Sequence, residues 1–375
     1  MSITAGSAVV AHRMARLREL LSARGYDAVV LRDVSDIRWL TAATRVLDDE
    51  VAHTAVVTTQ NAWLHTDSRY FGSFVERLGK DDTWVVDMQR TSHTNWVAQK
   101  VRENRLRVVA VEDTMTLGFF EELGAEINRL SCACLFPRLH GDLSLLRMIK
   151  DDEELENLRQ AQHITDAAFD HICGFIRPGQ TELQIRAELE ASMLALGAHG
   201  LSFETIIASG PNGANPHARP SERVVCQGDM IVMDYGALYN DYHADMTRTV
   251  CVGEPSSKQR DVYEVVKQAH ETCAEAARPN MSGRELHELA VSVIQQAGYG
   301  DFFNHGLGHG VGVQIHERPH VGSTSTDDLA SGSVFTIEPG IYLPGEFGVR
   351  LEDFGVMGTD GFEPFTQSTH ELVCL

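Results

Sequence analysis

The residues best able to do chemistry are carboxylates in two hairpin-like stretches. The first runs from Met230 to Val250 and carries Asp234 and Asp245 among apolar strand residues. Tyr239-Asn240 reads as the turn between the two strands. A turn centred there predicts Asp234 directly opposite Asp245 on one face. Like charges so placed repel, and burial would force one of them to keep its proton. A divalent cation between them removes the conflict. The second stretch, Glu338 to Asp353, repeats the device, because a turn about Gly345 sets Glu338 opposite Glu352. A single acid of this kind is ordinarily a surface residue of an edge strand. Two facing pairs in apolar strands, at matching places, point to metal ligation.

Histidines supply the other candidate donors. The segment Asn304 to His320 holds His305, His309, His316 and His320, with glycines at 306, 308, 310 and 312 that permit close backbone approach and unusual backbone angles. A phosphate cradle is a competing reading, but no Gly-Lys-Ser/Thr ending follows. The run His316-Glu317-Arg318-Pro319-His320 matches the HExxH zinc pattern, which needs one unbroken helix. Pro319 breaks such a helix, so Val313 to Glu317 is expected as a strand instead. Asn215-Pro216-His217-Ala218 places one more histidine in a loop.

These groups need a scaffold of two parts. The first 140 or so residues alternate strand and helix signals, which predicts an α/β domain. Helices are expected over His12–Arg24, Arg69–Leu78, Thr94–Arg102 and Leu117–Ile127. Strands are expected over Asp27–Leu31, Thr54–Thr58, Trp63–His65, Trp84–Asp87, Arg107–Val111 and Cys132–Phe136. From 141 to 375 the pattern is α+β. A long helix is expected from Asp151 to Phe175. Arg177-Pro178 followed by Thr181-Glu182-Leu183-Gln184 reads as a capping box. Arg278-Pro279 followed by Ser282-Gly283-Arg284-Glu285 reads the same way, and Gly197 and Gly298 end the two helices. This is a candidate internal duplication.

Composition narrows the partners. The 375 residues carry 32 Lys+Arg against 53 Asp+Glu, a formal net charge of −21. A polyphosphate partner wants a basic face, so nucleic acid is not expected. No run of eighteen apolar residues suggests a membrane span. No secretion signal is read at the N-terminus, so a cytoplasmic location is expected. Seven cysteines without a CxxC pair suggest neither a zinc knuckle nor a disulfide framework.

Together these residues resemble the creatinase/prolidase/methionine-aminopeptidase family, the pita-bread metallopeptidases. The likeness covers Pro216-His217, Asp234-Tyr-Gly, Ala244-Asp245-Met-Thr-Arg-Thr, Gly308-His309-Gly-Val-Gly with His316, Glu338-Pro-Gly and Arg350-Leu-Glu352-Asp353. It runs from about Leu145 to the C-terminus, and the N-terminal region is similar to the extra domain of the prolidase and Xaa-Pro aminopeptidase branch. The resemblance implies a pseudo-twofold catalytic fold. It implies two divalent ions held by Asp234, Asp245, His309, Glu338 and Glu352. Mn²⁺ suits this oxygen-rich set, with Co²⁺ or Fe²⁺ as alternatives and Zn²⁺ less favoured. It further implies that a metal-bridging hydroxide attacks the scissile carbonyl, with Glu338 as general base and His217 and His316 orienting the substrate. His305 and Arg350 match positions near the pocket for the residue after the cleaved bond, able to hold a proline ring or a carboxylate. The implied activity is that of an Xaa-Pro dipeptidase on small peptides. An Xaa-Pro aminopeptidase acting on longer peptides is the alternative, with a metal-free creatinase-like hydrolase or a non-catalytic peptide-binding module further off. The family also implies a homodimer.

Overall fold

A computed structural model describes residues 5–48, 50, 52–78 and 83–375. The chain divides into two compact units, Met1–Arg147 and Met148–Leu375, so the helix Asp142–Met148 lies beyond the expected boundary at 140 and belongs almost wholly to the first unit.

In the first unit a five-stranded mixed sheet has Thr54–Thr58 at its centre, flanked on one side by Ala62–His65 and Val85–Asp87 and on the other by Ala28–Leu31 and Val109–Val111. The central strands are buried on both faces, which explains their unbroken apolar runs. One expected strand is corrected. Cys132–Phe136 makes only one isolated parallel bridge, Leu135 with Val108, and a second, Arg138 with Val111, follows beyond it, because Pro137 has no N–H to continue the ladder. The helix Val34–Thr41 was not read from the sequence. Its signal is Asp33, whose side chain accepts from the backbone N–H groups of Ser35 and Asp36.

The second unit is built twice from one plan. Helix Asp152–Phe175 packs with Glu182–Ala195, and helix Ser257–Ala276 packs with Gly283–Gln296. The second helix of each pair opens on a capping box, at Thr181 and at Ser282, with both reciprocal hydrogen bonds formed. Each then ends on a glycine at positive φ, Gly197 and Gly298, and the next N–H reaches back to Met193 and Ile294 respectively. This is the same left-handed helix stop used twice.

Each helix pair covers an antiparallel sheet. One sheet has Met230–Tyr235 between Met246–Cys251 and Ile206–Ser209. The other runs Glu317–Val321, Gly308–Gly310, Val334–Ile337, Asp353–Met357, Phe362–Pro364. An antiparallel bridge between Thr247 and Glu352 joins the two halves.

Register decides where the acids lie. The hairpin at Gly345 pairs Gly340 with Arg350, and the same register pairs Ile337 with Asp353. Glu338 and Glu352 are therefore opposite, as expected. The first pair departs from expectation. Asp234 pairs with Thr247, and Tyr239 pairs with Tyr242, so the turn is Asn240-Asp241 and Asp245 is a diagonal neighbour on the same face. The reason is local: both turn residues have positive φ, 47° and 65°, as a two-residue hairpin turn with right-handed strand twist demands, and Asn and Asp tolerate it where Tyr does not.

The expected strand Val313–Glu317 is also corrected, since the strand starts at Glu317 and residues 311–316 form an irregular loop. None of the glycines 306, 308, 310 and 312 has positive φ. Their use is close approach: a Cβ on Gly308 would lie 2.0 Å from the Thr336 carbonyl oxygen.

Candidate metal centre

The strands deliver their side chains to one cavity of about 530 Å³ in the second unit. Its walls include all nine residues singled out from the sequence: His217, Asp234, Asp245, His305, His309, His316, Glu338, Arg350 and Glu352.

His309 lies at a bulge, because the pairing with the neighbouring strand slips between His309 and Gly310. A bulge re-aims a side chain. Here His309 Nε2 comes 3.5 Å from Asp245 Oδ2 and 3.5 Å from Glu338 Oε1. Its other nitrogen meets the Gly310 carbonyl oxygen at 3.1 Å, so Nδ1 carries the proton and Nε2 presents its lone pair to the carboxylates. Burial pushes the His309 pKa down to about 4, with His316 adding to the effect.

The carboxylates strain against one another. Burial, then Asp234 and Glu338, raise Asp245 well above the usual range. Burial, then Asp245, Glu338 and Asp234, do the same to Glu352. Glu338 is pushed up to about 8, chiefly by burial, with Arg350 opposing the rise. At an effective dielectric of 20, two like charges 4 Å apart repel by about 4 kcal/mol. Asp234 Oδ1 is buried without a hydrogen-bond partner. An orphaned carboxylate oxygen, crowded acids and a free imidazole lone pair on one wall fit a cation centre.

The supporting groups are as informative. Thr247 Oγ1 donates to Glu352 Oε2 at 2.7 Å, and Thr336 Oγ1 donates to Glu338 Oε1 at 3.3 Å. Arg350 donates to Asp234 Oδ2 at 2.5 Å, Tyr342 Oη at 2.9 Å, Thr247 Oγ1 at 3.0 Å and the Pro216 carbonyl at 3.4 Å. Burial works against its charge, but Tyr342, Asp234 and Glu352 more than offset this and raise its pKa. Arg350 thus braces Asp234 as well as lining the cavity where substrate contact is expected of it. Its side chain is only 4% exposed, and it bonds Asp234 and the residues around it. Thr247, Thr336 and Tyr342 were not read as site residues. A Thr two residues from a candidate ligand was the available signal.

His305 is fixed by a relay. Its Nδ1 donates to the Gly306 carbonyl at 2.7 Å, so Nε2 accepts from Tyr342 Oη at 3.0 Å. Burial, with Arg350 nearby, lowers its pKa to about 4. The ring is thus neutral, and it packs edge-on to Phe303 at 4.9 Å between centroids. His217 and His316 are exposed on the cavity wall, with His316 edge-on to His309 at 4.4 Å.

A duplicated α+β unit that gathers buried carboxylates and imidazoles around a peptide-sized cavity defines a metal-dependent hydrolase. Residues 156–358 match the model of metallopeptidase family M24, and residues 13–149 match the Creatinase/Prolidase N-terminal domain. The Xaa-Pro dipeptidase of Pyrococcus furiosus is 39% identical over 265 residues, covering 71% of this chain and 75% of that protein. An Xaa-Pro dipeptidase structure from Bacillus anthracis superposes with a TM-score of 0.90 at 34% identity, over 98% of this chain and 100% of that one. An X-Pro aminopeptidase structure from Thermotoga maritima gives 0.86 at 32% identity, over 96% and 99%. The chain belongs to metallopeptidase family M24, with the pita-bread catalytic fold, and it is a peptidase that uses divalent metal ions. No helix among the described residues is long and apolar enough to cross a membrane.

Proposed function

We propose that the protein is an Xaa-Pro dipeptidase whose two divalent ions are held by Asp234, Asp245, His309, Glu338 and Glu352. The observation that carries this reading is the convergence of these five side chains on one cavity. Its support from relatives is the full-length likeness to the Bacillus anthracis Xaa-Pro dipeptidase. Four carboxylates with one imidazole favour Mn²⁺, with Co²⁺ or Fe²⁺ as substitutes.

Divalent ions held by these five residues would supply an acidified water and a polarised carbonyl. The chain's own residues do the rest. Glu338 takes the proton of the attacking water and passes it to the prolyl nitrogen as the C–N bond breaks, leaving a carboxylate and free proline. His217 and His316 orient the scissile carbonyl and stabilise its developing negative charge. The neutral His305 ring, set by Tyr342, offers a flat face to the proline ring rather than a charge to its carboxylate. The X–Pro amide carries no N–H, so recognition rests on shape and on the oxygen atoms.

An Xaa-Pro aminopeptidase is the second reading, favoured by the likeness to the Thermotoga maritima enzyme. Turnover of Ala-Pro against Ala-Pro-Ala separates the two: a dipeptidase cleaves the first, and cleavage of the tripeptide alone overturns the proposal. Chelation should abolish turnover and added Mn²⁺ restore it. Asp245→Asn should lose both its bound Mn²⁺ and its activity, and full activity in that variant contradicts the ligand assignment. A cytoplasmic homodimer is the proposed working form, checked by sedimentation and by cell fractionation.

A further inference from the structure

A second group of donors lies on the other side of the strand that carries Glu352. His270 projects from helix Ser257–Ala276, Asp353 opens the strand Asp353–Met357, and His370 belongs to the C-terminal segment. Glu352 and Asp353 are adjacent, so their side chains leave the extended chain in opposite directions. Glu352 enters the cavity, whereas Asp353 turns toward the helix. Asp353 Oδ2 is 2.8 Å from His370 Nε2 and 3.6 Å from His270 Nε2. The two imidazole centroids are 4.7 Å apart, at 66°. One donor atom from each of the three residues falls within 4.8 Å of the others.

Ordinary hydrogen bonding accounts for part of this cluster. Asp353 Oδ1 accepts from Arg248 Nη2 at 2.7 Å, and Oδ2 is reached by His370. It leaves His270 unexplained. That residue is 1% exposed, and neither ring nitrogen has a hydrogen-bond partner. Buried polar atoms are rarely left so. Its Nε2 is aimed at the carboxylate oxygen but stands too far away for a hydrogen bond.

We propose that His270, Asp353 and His370 form a mononuclear metal site, separate from the catalytic cavity, that takes a borderline divalent cation such as Zn²⁺. Two imidazoles and one carboxylate are a common zinc donor set, and the partly exposed His370 edge leaves room for a water as fourth ligand. Tetrahedral zinc with bonds of about 2.0–2.1 Å holds its ligand atoms roughly 3.4 Å apart, a spacing that lies between the observed 2.8 and 3.6 Å. Glu271 Oε1, 3.8 Å from His370 Nδ1, stands where a second carboxylate would orient that imidazole. The nitrogen-rich set selects against Mn²⁺, which suits the oxygen-rich cavity. The ion would clip together three separate segments: the helix, the ligand-bearing strand and the C-terminal tail, whose backbone already pairs with Cys251 and Gly253.

The proposal does not rest on the substrate, and its test is metal content in the full-length protein. Chelator-stripped wild type is reloaded with Mn²⁺ and limiting Zn²⁺, then desalted and analysed by mass spectrometry. One tightly held Zn²⁺ equivalent beyond the Mn²⁺ is expected. His370→Ala, at a partly exposed position, should lose that equivalent while keeping its Mn²⁺ and its turnover of Ala-Pro. His270→Gln should do the same. Asp245→Asn should lose Mn²⁺ and keep the Zn²⁺, which separates failure here from failure of the catalytic assignment. With Co²⁺ in place of Zn²⁺, the intense visible band of a four-coordinate ion should appear in wild type and in Asp245→Asn, and vanish in His370→Ala. No extra equivalent in wild type, or an extra equivalent and a Co²⁺ band unchanged by His370→Ala, overturns the proposal.

Discussion

Replacing Arg350 by Met removes the buried guanidinium that bonds Asp234 in the cavity wall. The side chain is 4% exposed, bonded to Asp234 at 2.5 Å, and also braces Thr247 and Tyr342. Deleting one partner of a buried ion pair costs about 3–5 kcal/mol, because the other charge stays behind unpaired. For a unit of this size, each 1 kcal/mol shifts Tm by roughly 2–4 °C, so a drop of roughly 10 °C is expected. The drop should be larger in chelator-stripped protein than in Mn²⁺-loaded protein, since bound ions also neutralise Asp234. Arg350→Lys keeps a charge but not the fork that reaches several acceptors, and should fall between. The assay is thermal unfolding of each variant, with and without metal, beside the KM and kcat for Ala-Pro. If Arg350→Met melts within about 1 kcal/mol of wild type and only KM rises, Arg350 is a substrate contact and the positioning argument fails.

Other consequences follow from the same network. Thr247→Val keeps the shape but leaves Glu352 Oε2 and Arg350 Nε without their bonds; metal affinity should fall about 10–100-fold, read by competitive chelator titration, and wild-type affinity would show that Glu352 needs no such brace. Gly308→Ala drives a Cβ to 2.0 Å from the Thr336 carbonyl, so the strand must part; a loss of about 3 kcal/mol or more is expected in urea unfolding, and a loss below 1 kcal/mol contradicts the close packing. In the first unit, burial holds His53 at about 4, and it sits between Tyr70 and Phe74. A histidine with a lowered folded-state pKa gives stability that is present above about pH 6.5 and lost as pH falls toward 4, here about 3 kcal/mol. His53→Leu should flatten the wild-type decline over that window by about this amount, and an unchanged slope rejects the assignment.

What the sequence disclosed depended on how local the determining contact is. Glu338 and Glu352 were placed correctly because one turn, at Gly345, sets the register along both adjoining strand pairs. The facing of Asp234 and Asp245 was misjudged by one step, because the turn choice hinged on which residues accept positive φ, and Asn240-Asp241 do so together. The helix stops and capping boxes were legible for the same local reason. The pairing of Arg350 with Asp234 was not legible because the two lie 116 residues apart, beyond any periodicity. His305 gained its meaning only from Tyr342, and His270 only from a tail and a strand remote in sequence. HExxH shows the reverse case, where a local argument sufficed: Pro319 ruled out the helix, even though the strand that replaces it begins later than expected.

The duplication explains more than the pairing of the acids. Arg350 belongs to the second half and bonds Asp234 in the first. Thr247 belongs to the first half and bonds Glu352 in the second. The backbone bridge between Thr247 and Glu352 crosses at the same place. Each half therefore orients a carboxylate of the other, and neither half alone presents a complete donor set. The halves have also diverged in register. The first uses shorter Asp side chains set diagonally, the second longer Glu side chains set directly opposite. A symmetric site would treat both metal positions alike. Under the proposed ligand assignment, an ion beside the bulged His309 strand would meet an imidazole and one beside Asp234 an Arg350-braced carboxylate, so two ions would differ in affinity and exchange in sequence rather than together.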